Sequence, residues 1–542
     1  MVTMKAQHLV FLIVTIFLTC ISCKKDSNNS TTPNPPPPPP TVDTPKTLKD
    51  AASFPIGIAI DYALFRNNAA YKNVVTKEAD QVTFGYQMKH GAIVKDDGSF
   101  DYSTADELLN LATAAGLKVF GHTLVWHQNQ NGNYLRSLTV EAGNTSSTNL
   151  LSSGDFEAGT GSSGAGTTLF TGWNLLVGGN AAGSFEAIAG NNSARALQAT
   201  VTTPGTNAYD VQAIGSNWTA VAGTQYRISV DIKSSVANGK VRLVNQNSQY
   251  QQVDISTSTS WVTYTWTLIA VETSPSLRLN FPAAGVYTID NIKINEVTPG
   301  GTLPAAQAAI NIDSTMSRFI RNMVTHYSGK VKAWDVVNEA INDGTGTIRT
   351  GGAVTSDAFY WAQYLGRDFA LKAFNYAKAA DPSALLFIND YNLESDNRKL
   401  DSLLAYVNEL KGKGARIDGI GTQMHISINT SKPAIDNMFV KLAATGLKIR
   451  VSELDVRVNP NNLTGFTAST QNLADQATMY KYVVESFIRN VPASQRYDFT
   501  IWGVADSDSW IITALHKEDF PLLFDGSYVK KPAYTSLLQG LK

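Results

Sequence analysis

The chain has 542 residues, which is too long for one ordinary hydrophobic core, so two or three domains are expected. Its formal net charge is −1, which gives no electrostatic reason to expect binding to nucleic acid or to an acidic membrane. The two cysteines, Cys20 and Cys23, lie near the amino terminus, so the body of the protein can hold neither a disulfide framework nor a cysteine metal site. The seven histidines include no HExxH-like spacing, and no metal ligand is predicted.

Residues 1–22 have the pattern of a secretory signal. Lys5 precedes an apolar run over residues 9–19, which is too short to span a bilayer comfortably. A small residue stands before Cys23 and polar residues follow it, which resembles a bacterial lipoprotein processing site with Cys23 as the lipidated residue. We therefore expect an exported outer-membrane or cell-surface lipoprotein that meets the membrane only through this anchor. A plain signal peptide cleaved nearby is the alternative.

Residues 23–47 read as a linker. The segment is rich in Asn, Ser, Thr and Pro and contains six consecutive prolines at 35–40. Such a composition cannot bury a core and favours extended polyproline II, so a stiff stalk is expected. A proline motif that binds a partner is the alternative.

Strand and helix patterns alternate on both sides of a long central segment. Residues 48–143 contain three predicted strands, at 56–60, 81–86 and 117–123, with helices at 72–80 and 104–115. Residues 301–542 contain five more predicted strands, at 331–337, 384–389, 419–425, 447–454 and 498–502. Their predicted helices are at 304–327, 356–380, 396–411, 433–444, 474–490 and 534–541. Eight strand–helix units favour a (β/α)8 barrel in two sequence parts.

The central segment, residues 144–300, loses helical periodicity and becomes rich in Gly, Ser, Thr and Asn. Short alternating runs predict strands at 187–189, 196–201, 226–232, 241–244, 261–269, 277–281 and 287–294. This pattern is typical of an all-β sandwich or jelly roll, and the length suits one separate domain. The insertion falls in the loop after the third barrel strand, on the face where loops tolerate length.

Two of the predicted barrel strands deliver a glutamate. The stretch KAWDVVNEAI at 332–341 ends in Asn338 and Glu339, and LKIRVSELDV at 447–456 contains Glu453 and Asp455. Carboxyl ends of parallel barrel strands share one face, where active sites are built. A retaining glycosidase needs a protonated acid and an ionised carboxylate close together. The pair Glu339 and Glu453 is therefore predicted to be catalytic.

Six motifs together resemble one enzyme family. They are GHTLVWH at 121–127, WDVVNEAI at 334–341, LFINDYN at 386–392, GIGTQMHI at 419–426, VSELDVR at 451–457 and the pair Trp502 and Trp510. In this order and spacing they look like glycoside hydrolase family 10, a family of retaining endo-1,4-β-xylanases. The resemblance covers residues 48–143 and 301–542. It implies a substrate of xylan or xylo-oligosaccharides, plain or decorated, and no cofactor for catalysis.

The resemblance also implies roles for individual residues. Glu339 would be the acid/base and Glu453 the nucleophile that forms a covalent glycosyl-enzyme. Asn338 would hold the sugar 2-hydroxyl. His425, with Asp455 behind it, would keep the nucleophile ionised.

Further residues would line the cleft by the same resemblance. Hydroxyl groups would be bound by Lys89, His122 and Gln423. The glycone pocket would be walled by Trp126, Trp502 and Trp510. Asn389 and Asp390 are expected to support the barrel rim rather than touch substrate.

The sequence departs from the family pattern at the end of the second strand. Where the family usually has Glu-Asn, this chain has Gly85 and Tyr86, and Gln128-Asn129 replaces the usual Ser-Gln after His127. The change removes two polar contacts and offers the aromatic face of Tyr86 to the sugar. We expect a reshaped distal glycone subsite that is weaker for bare xylan or suited to decorated chains.

Both ends of the insert, GDFE at 154–157 and YTIDNIKIN at 287–295, resemble jelly-roll carbohydrate-binding modules. Candidates for a sugar platform are Trp173, Trp218, Tyr250 and Trp261, with core packing as the equal alternative for each. Such modules often hold a structural calcium ion, for which the sequence names no ligands. A monomer is expected.

Two rival functions remain open on the sequence. The barrel could have lost catalysis and serve a lipoprotein that only captures glycans, which the altered residues Gly85 and Tyr86 would permit. The same machinery could also act on another β-linked glycan. Intact Glu339 and Glu453 favour a hydrolase.

Overall fold

The computed structural model describes residues 47–141, 144–298 and 300–542. The predicted signal segment, Cys23 and all but the last residue of the predicted linker lie outside these residues. Among the described residues, no helix has the length and apolar character that a membrane crossing requires.

Eight parallel strands close into a barrel. They are β1 Ile56–Ile60, β2 Gln81–Phe84, β3 Lys118–Gly121, β4 Val331–Asn338, β5 Leu385–Asp390, β6 Gly419–Thr422, β7 Lys448–Arg457 and β8 Arg496–Ile501. Neighbours along the chain pair with each other, and β8 pairs with β1 to close the ring. A short strand, His425–Ser427, pairs with the end of β7. The predicted (β/α)8 fold is confirmed.

The barrel strands form because they are apolar on both faces. Every residue of β1 is buried, as expected for a parallel strand covered by helices on one side and filled by side chains on the other. Phe120, Ala333 and Phe387 make a small apolar cluster of their own. The fully buried guanidinium of Arg450 lies 3.5 Å from the centre of the Phe120 ring. This close packing leaves no space for a side chain at Gly419, where a Cβ would lie 2.1 Å from the Phe387 ring.

Helices and short turns cover the barrel and its rim. The helices are Leu48–Ala51, Tyr62–Asn67, Ala69–Glu78, His90–Ile93, Ser103–Ala114, Gly132–Ser137, Ala305–His326, Trp361–Leu365, Phe369–Ala380, Asn397–Gly412, Lys432–Ala443, Thr470–Asn490, Trp510–Thr513 and Pro532–Gly540. Two 3₁₀ turns occupy Gly366–Asp368 and Asp506–Asp508.

The prediction of one continuous helix over residues 356–380 is wrong. Helix begins only at Trp361, and a 3₁₀ turn starting at Gly366 (φ +64°) separates two helical pieces. The residues before Trp361 instead pack on the rim of the barrel. The backbone N–H of Phe359 donates to the carbonyl of His127 at 2.9 Å, and the Tyr360 ring stacks on His127. Tertiary contacts therefore override local helix propensity here.

The insert consists of two antiparallel sheets, in agreement with the all-β prediction. The first insert sheet has the strand order Tyr250–Ser256, Lys240–Gln246, Ser276–Asn280, Val211–Asn217 and Trp173–Val177. The second insert sheet has the order Val262–Ile269, Gln225–Ser234, Gly285–Thr298, Ala196–Thr203 and Ala182–Ile188, with Asn144–Thr145 beside Gly285–Thr298. Between the sheets lies a hydrophobic core distinct from that of the barrel.

The insert leaves and rejoins the barrel at one paired stem. Val140 bridges Thr302, and the N–H of Glu141 donates to the carbonyl of Gly301 at 2.8 Å. The segment that enters the insert and the segment that leaves it therefore lie side by side. The predicted position of the insertion, after β3, agrees with this pairing.

Candidate active site

Glu339 stands immediately after β4, on a turn that points its carboxylate into a polar cluster. Its backbone N–H donates to the carbonyl of Asn389 at 2.8 Å, and its φ is +56°, in the left-handed region. This conformation costs a residue with a side chain about 1 kcal/mol, so the surrounding contacts must hold it. The carboxylate Oε1 accepts hydrogen bonds from Gln423 Nε2 at 3.1 Å and from Asn338 Nδ2 at 3.3 Å.

Glu453 lies within β7 and is also buried. Its Oε1 accepts a hydrogen bond from Asn389 Nδ2 at 2.7 Å. Its Oε2 lies 3.4 Å from His425 Nε2. The two contacts come from β5 and from the short strand His425–Ser427, so the carboxylate is fixed from two sides.

A chain of amides connects the two glutamates. Asn338 Oδ1 accepts from Asn389 Nδ2 at 2.9 Å and from Gln423 Nε2 at 3.3 Å. Because Asn389 also binds Glu453 and Gln423 also binds Glu339, both carboxylates belong to one hydrogen-bonded cluster. The structure therefore brings the ends of β4 and β7 together at one site, as predicted. Gln423, predicted to bind sugar hydroxyls, lies in this cluster and is itself buried.

The environments of the two glutamates push their pKa values apart. Burial raises the pKa of Glu339 to about 7, and the negative charges of Asp390 and Glu453 add to this against the hydrogen bond from Gln423. Burial would also raise the pKa of Glu453, but the hydrogen bond from His425 and interactions with His122 and Lys89 lower it to about 2. At neutral pH one carboxyl group can therefore hold a proton while the other is ionised.

His425 is held between two carboxylates. Its Nδ1 lies 2.7 Å from Asp455 Oδ2, which also accepts a hydrogen bond from Trp510 Nε1 at 2.9 Å. Burial opposes the charged imidazolium, but Asp455 and Glu453 raise the pKa of His425 to about 10. A positive His425 faces Glu453 with Asp455 behind it, which is the arrangement predicted for these three residues. Trp510, predicted to wall the glycone pocket, also holds Asp455 through its indole N–H.

The predicted cleft residues gather around the same cluster. The ammonium of Lys89 lies 4.6 Å from the Trp126 ring centre, and burial lowers its pKa to about 8 although Glu453 and Glu339 oppose this. His122 Nδ1 lies 2.9 Å from Asp335 Oδ2. The Trp502 ring meets the rings of His122 and His425 edge-on, with centres 5.5 and 6.3 Å away.

Asn389 and Asp390, which were expected to support the rim rather than touch substrate, act on the two glutamates. Asn389 binds the carboxylate of Glu453, and the negative charge of Asp390 raises the pKa of Glu339. Asp390 is fully buried and pairs with the buried Lys399 at 2.9 Å. The available signal was an amide followed by an acid at the end of an apolar strand, the same signal that identified Glu339.

Tyr86 lies where the sequence departs from the family pattern. Its side chain is 44% exposed and borders a cavity of about 280 Å³, shared with Gln87, Lys95, Asp101 and Thr104. Its carbonyl accepts a hydrogen bond from the N–H of Lys89 at 2.9 Å, so Tyr86 lies in the same turn as this cleft residue. The aromatic face of Tyr86 is therefore available for contact with a ligand.

Two of the four sugar-platform candidates in the insert are wrong. Trp173 and Trp218 are 1% and 2% exposed, and both belong to the core between the sheets. Their indole N–H groups donate to the carbonyl of Ser153 at 2.8 Å and to Asn245 Oδ1 at 3.1 Å. Tyr250 is 53% exposed, and Trp261 is half-buried beneath the ammonium of Lys233.

Within the described ranges, no group of three or more His, Cys, Asp or Glu side chains could hold a metal ion. The buried acids of the insert already accept hydrogen bonds. Asp290 Oδ2 accepts from the Ser193 hydroxyl at 2.5 Å and from the N–H of Asn191 at 2.8 Å. A structural calcium ion in the insert stays a prediction.

Comparison with known proteins gives a family match over both barrel parts. The model of "Glycosyl hydrolase family 10" matches residues 46–153 and 298–540, and the gap coincides with the insert. Endo-1,4-beta-xylanase A from Cellvibrio japonicus is 35% identical over 263 residues, covering 45% of this chain and 43% of the relative. Exoglucanase XynX from Acetivibrio thermocellus is 38% identical over 226 residues, covering 40% of this chain and 19% of the relative. The matched region thus spans less than half of either relative.

A solved structure has the same fold. Xylanase 10B from Thermotoga petrophila RKU-1, determined in complex with xylobiose, superimposes with a TM-score of 0.54 at 20% identity. The match covers 91% of this chain and 97% of the other.

Proposed function

Because this chain belongs to glycosyl hydrolase family 10, we propose that it is a retaining endo-1,4-β-xylanase. One observation carries the proposal. Two buried glutamates share a hydrogen-bonded cluster at the carboxyl end of the barrel, and their surroundings raise the pKa of Glu339 to about 7 and lower that of Glu453 to about 2. This is the division of roles that a double-displacement glycosidase needs.

In the first step the protonated Glu339 donates its proton to the glycosidic oxygen as that bond breaks. The ionised Glu453 attacks the anomeric carbon and forms a covalent glycosyl-enzyme. In the second step the carboxylate of Glu339 takes a proton from water, and the water oxygen attacks the same carbon. Glu453 leaves as a carboxylate, and the sugar keeps its original configuration.

The surrounding residues prepare both carboxylates for this chemistry. Asn389 and His425 fix the two oxygens of Glu453, so the nucleophile is oriented before substrate arrives. The amide of Asn338, next to Glu339, is proposed to bind the sugar 2-hydroxyl. Lys89 and His122 supply polar groups for other hydroxyls, beside the aromatic walls of Trp126 and Trp502.

Xylan is the proposed substrate because of the relatives' names. The Cellvibrio relative is called an endo-1,4-beta-xylanase, and the similar Thermotoga structure holds xylobiose. Another β-linked glycan is the second candidate, since the relative from Acetivibrio thermocellus is called an exoglucanase. Reducing-sugar release from xylan, β-glucan and mannan separates the two, and activity confined to β-glucan would contradict the xylanase proposal.

The catalytic roles are tested with Glu339→Ala and Glu453→Ala. Each should lower turnover of xylan at least about 100-fold. With a xyloside whose leaving group is a nitrophenolate, which needs no protonation, Glu339→Ala should keep its first step while Glu453→Ala stays inactive. Glu485→Gln, an exposed helix residue, is the control and should behave as the parent enzyme. Near-normal rates for both alanine variants would overturn the assignment of the two glutamates, whereas no reducing-sugar release by the parent protein would favour a protein that only captures glycans.

We also propose that the insert binds the polysaccharide. Its separate core, its two-sheet architecture and the resemblance of its ends to carbohydrate-binding modules support this role.

The half-exposed Tyr86 and its cavity support a distal subsite that accepts decorated chains. Identical product patterns from linear and branched xylans would contradict the proposal for Tyr86.

Export as a lipoprotein is proposed from the sequence around Cys23. The Cys23→Ala chain should lose its acyl label and leave the membrane fraction. A Cys23→Ala chain that keeps its acyl label and stays in the membrane fraction would contradict the proposed lipid anchor.

A further inference from the structure

The outer face of the first insert sheet carries a groove of about 330 Å³. Four neighbouring strands contribute to it, because Arg278 pairs with Val244 across one ladder and Asn280 pairs with Gln212 across another. Residues between them along the strands, such as Leu243 and Leu279, point the other way into the core. The groove is therefore built by the strand alternation of the sheet itself.

The groove is polar at its sides and has aromatic edges. Its polar and aromatic lining residues are Tyr209, Gln212, Gln246, Tyr250, Arg278 and Asn280. Tyr209 and Tyr250 are 55% and 53% exposed, although such rings are usually covered in a folded protein. The side chains of Gln212 and Gln246 make no hydrogen bond within the described part of the chain. Among the residues that the structure describes, no carboxylate lines the groove.

One group in the groove lacks a partner. Asn280 is 4% exposed, and its Oδ1 has no hydrogen-bond partner among the described residues. A buried amide oxygen without a donor costs stability, so a ligand that brings hydroxyl donors to the floor of the groove would offset this cost. Oxygen atoms of the same ligand can accept hydrogen bonds from Arg278 and from the side-chain amides of Gln212 and Gln246.

From this juxtaposition we infer that the groove binds a segment of a neutral, hydroxyl-rich polysaccharide chain such as the xylan backbone. The faces of its sugar rings lie against Tyr209 and Tyr250, and its hydroxyls bind the amides and Arg278. The inference rests on the proposed glycan-binding role of the insert and gives that role a location. It replaces Trp173 and Trp218, which are buried, and it excludes Trp261, which directly precedes the strand Val262–Ile269 of the other sheet.

The test uses the full chain carrying Glu453→Gln, so that the ligand is not consumed. Titration calorimetry with xylohexaose should show two binding events, one in the cleft and one in the groove. The double change Tyr209→Ala and Tyr250→Ala should remove one event without lowering the melting temperature, because both rings are exposed. Trp261→Ala is the rival variant and should keep both events.

A second variant separates binding from folding. Asn280→Leu has a similar volume and removes the unpartnered oxygen, so its melting temperature should be unchanged or higher while affinity in the groove falls about tenfold. Unchanged affinity in Asn280→Leu would overturn the inference.

The remaining outcomes distinguish the inference from the proposal beneath it. If both binding events persist in the double tyrosine variant and one is lost in Trp261→Ala, the insert binds glycan at another place, and only its location in the groove is wrong. A single binding event that is unchanged in every insert variant would contradict glycan binding by the insert, while the hydrolase proposal would stand. A second event seen only with glucuronoxylan would overturn the assignment to neutral chains and point to Arg278 and a uronate.

Discussion

Two identical side chains acquire opposite acid–base properties in this barrel. Glu339 has lost water and faces the negative charges of Asp390 and Glu453, so its neutral form is favoured. Glu453 has lost water as well, but it faces His425, whose pKa Asp455 and Glu453 raise to about 10. The difference thus comes from the charges facing each carboxyl group rather than from its burial.

The pKa of Glu339 predicts the pH dependence of the reaction. Because Glu339 must be protonated to act as an acid, kcat/KM should fall as pH rises through about 7. No acidic limb is expected from Glu453 until pH approaches 2, where its carboxylate would become protonated. Asp390→Asn should move the basic limb to lower pH, since Asp390 raises the pKa of Glu339. Asp401→Asn, an exposed residue, is the control. A basic limb that Asp390→Asn leaves in place would contradict this assignment.

The same pKa shift predicts a stability cost at the active site. An unfolded glutamate has a pKa near 4.3, so the folded protein, whose Glu339 has a pKa of about 7, binds more protons between these values. Stability is therefore lost as pH rises from about 4 to 7, by on the order of 3 kcal/mol in full. Glu339→Gln should be more stable than the parent at pH 8 and equally stable at pH 4. Thermal unfolding at both pH values checks this, and equal stability at pH 8 would contradict it.

Residue roles could be predicted where a motif fixes both the residue type and its position on a strand. Glu339, Glu453, His425 and Asp455 meet this condition, and the structure brings them together. Exposure of a tryptophan in a β-sandwich is different, because it depends on strand register and sheet packing. The sequence alone could not place Trp173 in the core.

At the scale of elements, strands buried on both faces were predictable because their apolar runs are continuous. The start of the predicted helix over residues 356–380 was not, since residues 356–360 are not helical and a 3₁₀ turn interrupts the helix at Gly366–Asp368. Its conformation depends on partners distant in sequence. The N–H of Phe359 binds the carbonyl of His127, and Trp361 Nε1 donates to the carbonyl of Trp126 at 2.9 Å. These contacts tie the rim to the residues that wall the cleft.

The end of β3 requires a residue without a side chain. A Cβ at Gly121 would lie 2.2 Å from the Trp334 ring, which fills the space between β3 and β4. Gly121→Ala should therefore destabilise the barrel by about 1–3 kcal/mol through displacement of Trp334. Activity should fall too, because Trp334 precedes Asp335, the partner of His122. Denaturant unfolding measures the change in stability.

Gly412→Ala is the matched control for that experiment. Gly412 ends the helix Asn397–Gly412, and a Cβ there would meet no atom within 4 Å. Alanine is the better helix former, so this variant should be as stable as the parent or slightly more stable. Equal stability of both alanine variants would show that the barrel tolerates movement of Trp334.

At the scale of the molecule, one chain builds two independent cores. The barrel core draws on residues before and after the insert, whereas the insert core uses only its own strands. Counting eight strand–helix units across the interruption predicted this arrangement. The insertion is tolerated because the chain leaves and returns through the paired stem of Val140 and Thr302, so the barrel loop is closed beneath it.

Excision of the insert tests this independence. A chain in which a short Gly-Ser link replaces residues 144–298 keeps both strands of the stem, so the barrel should fold and unfold cooperatively. Its kcat/KM on a short soluble xylo-oligosaccharide should stay within about twofold of the parent, since every residue around Glu339 and Glu453 is retained. Retention on insoluble xylan should fall, because the groove between Tyr209 and Tyr250 is gone. A barrel that fails to fold would show that its stability depends on the insert, and undiminished retention on xylan would place polysaccharide binding in the cleft alone.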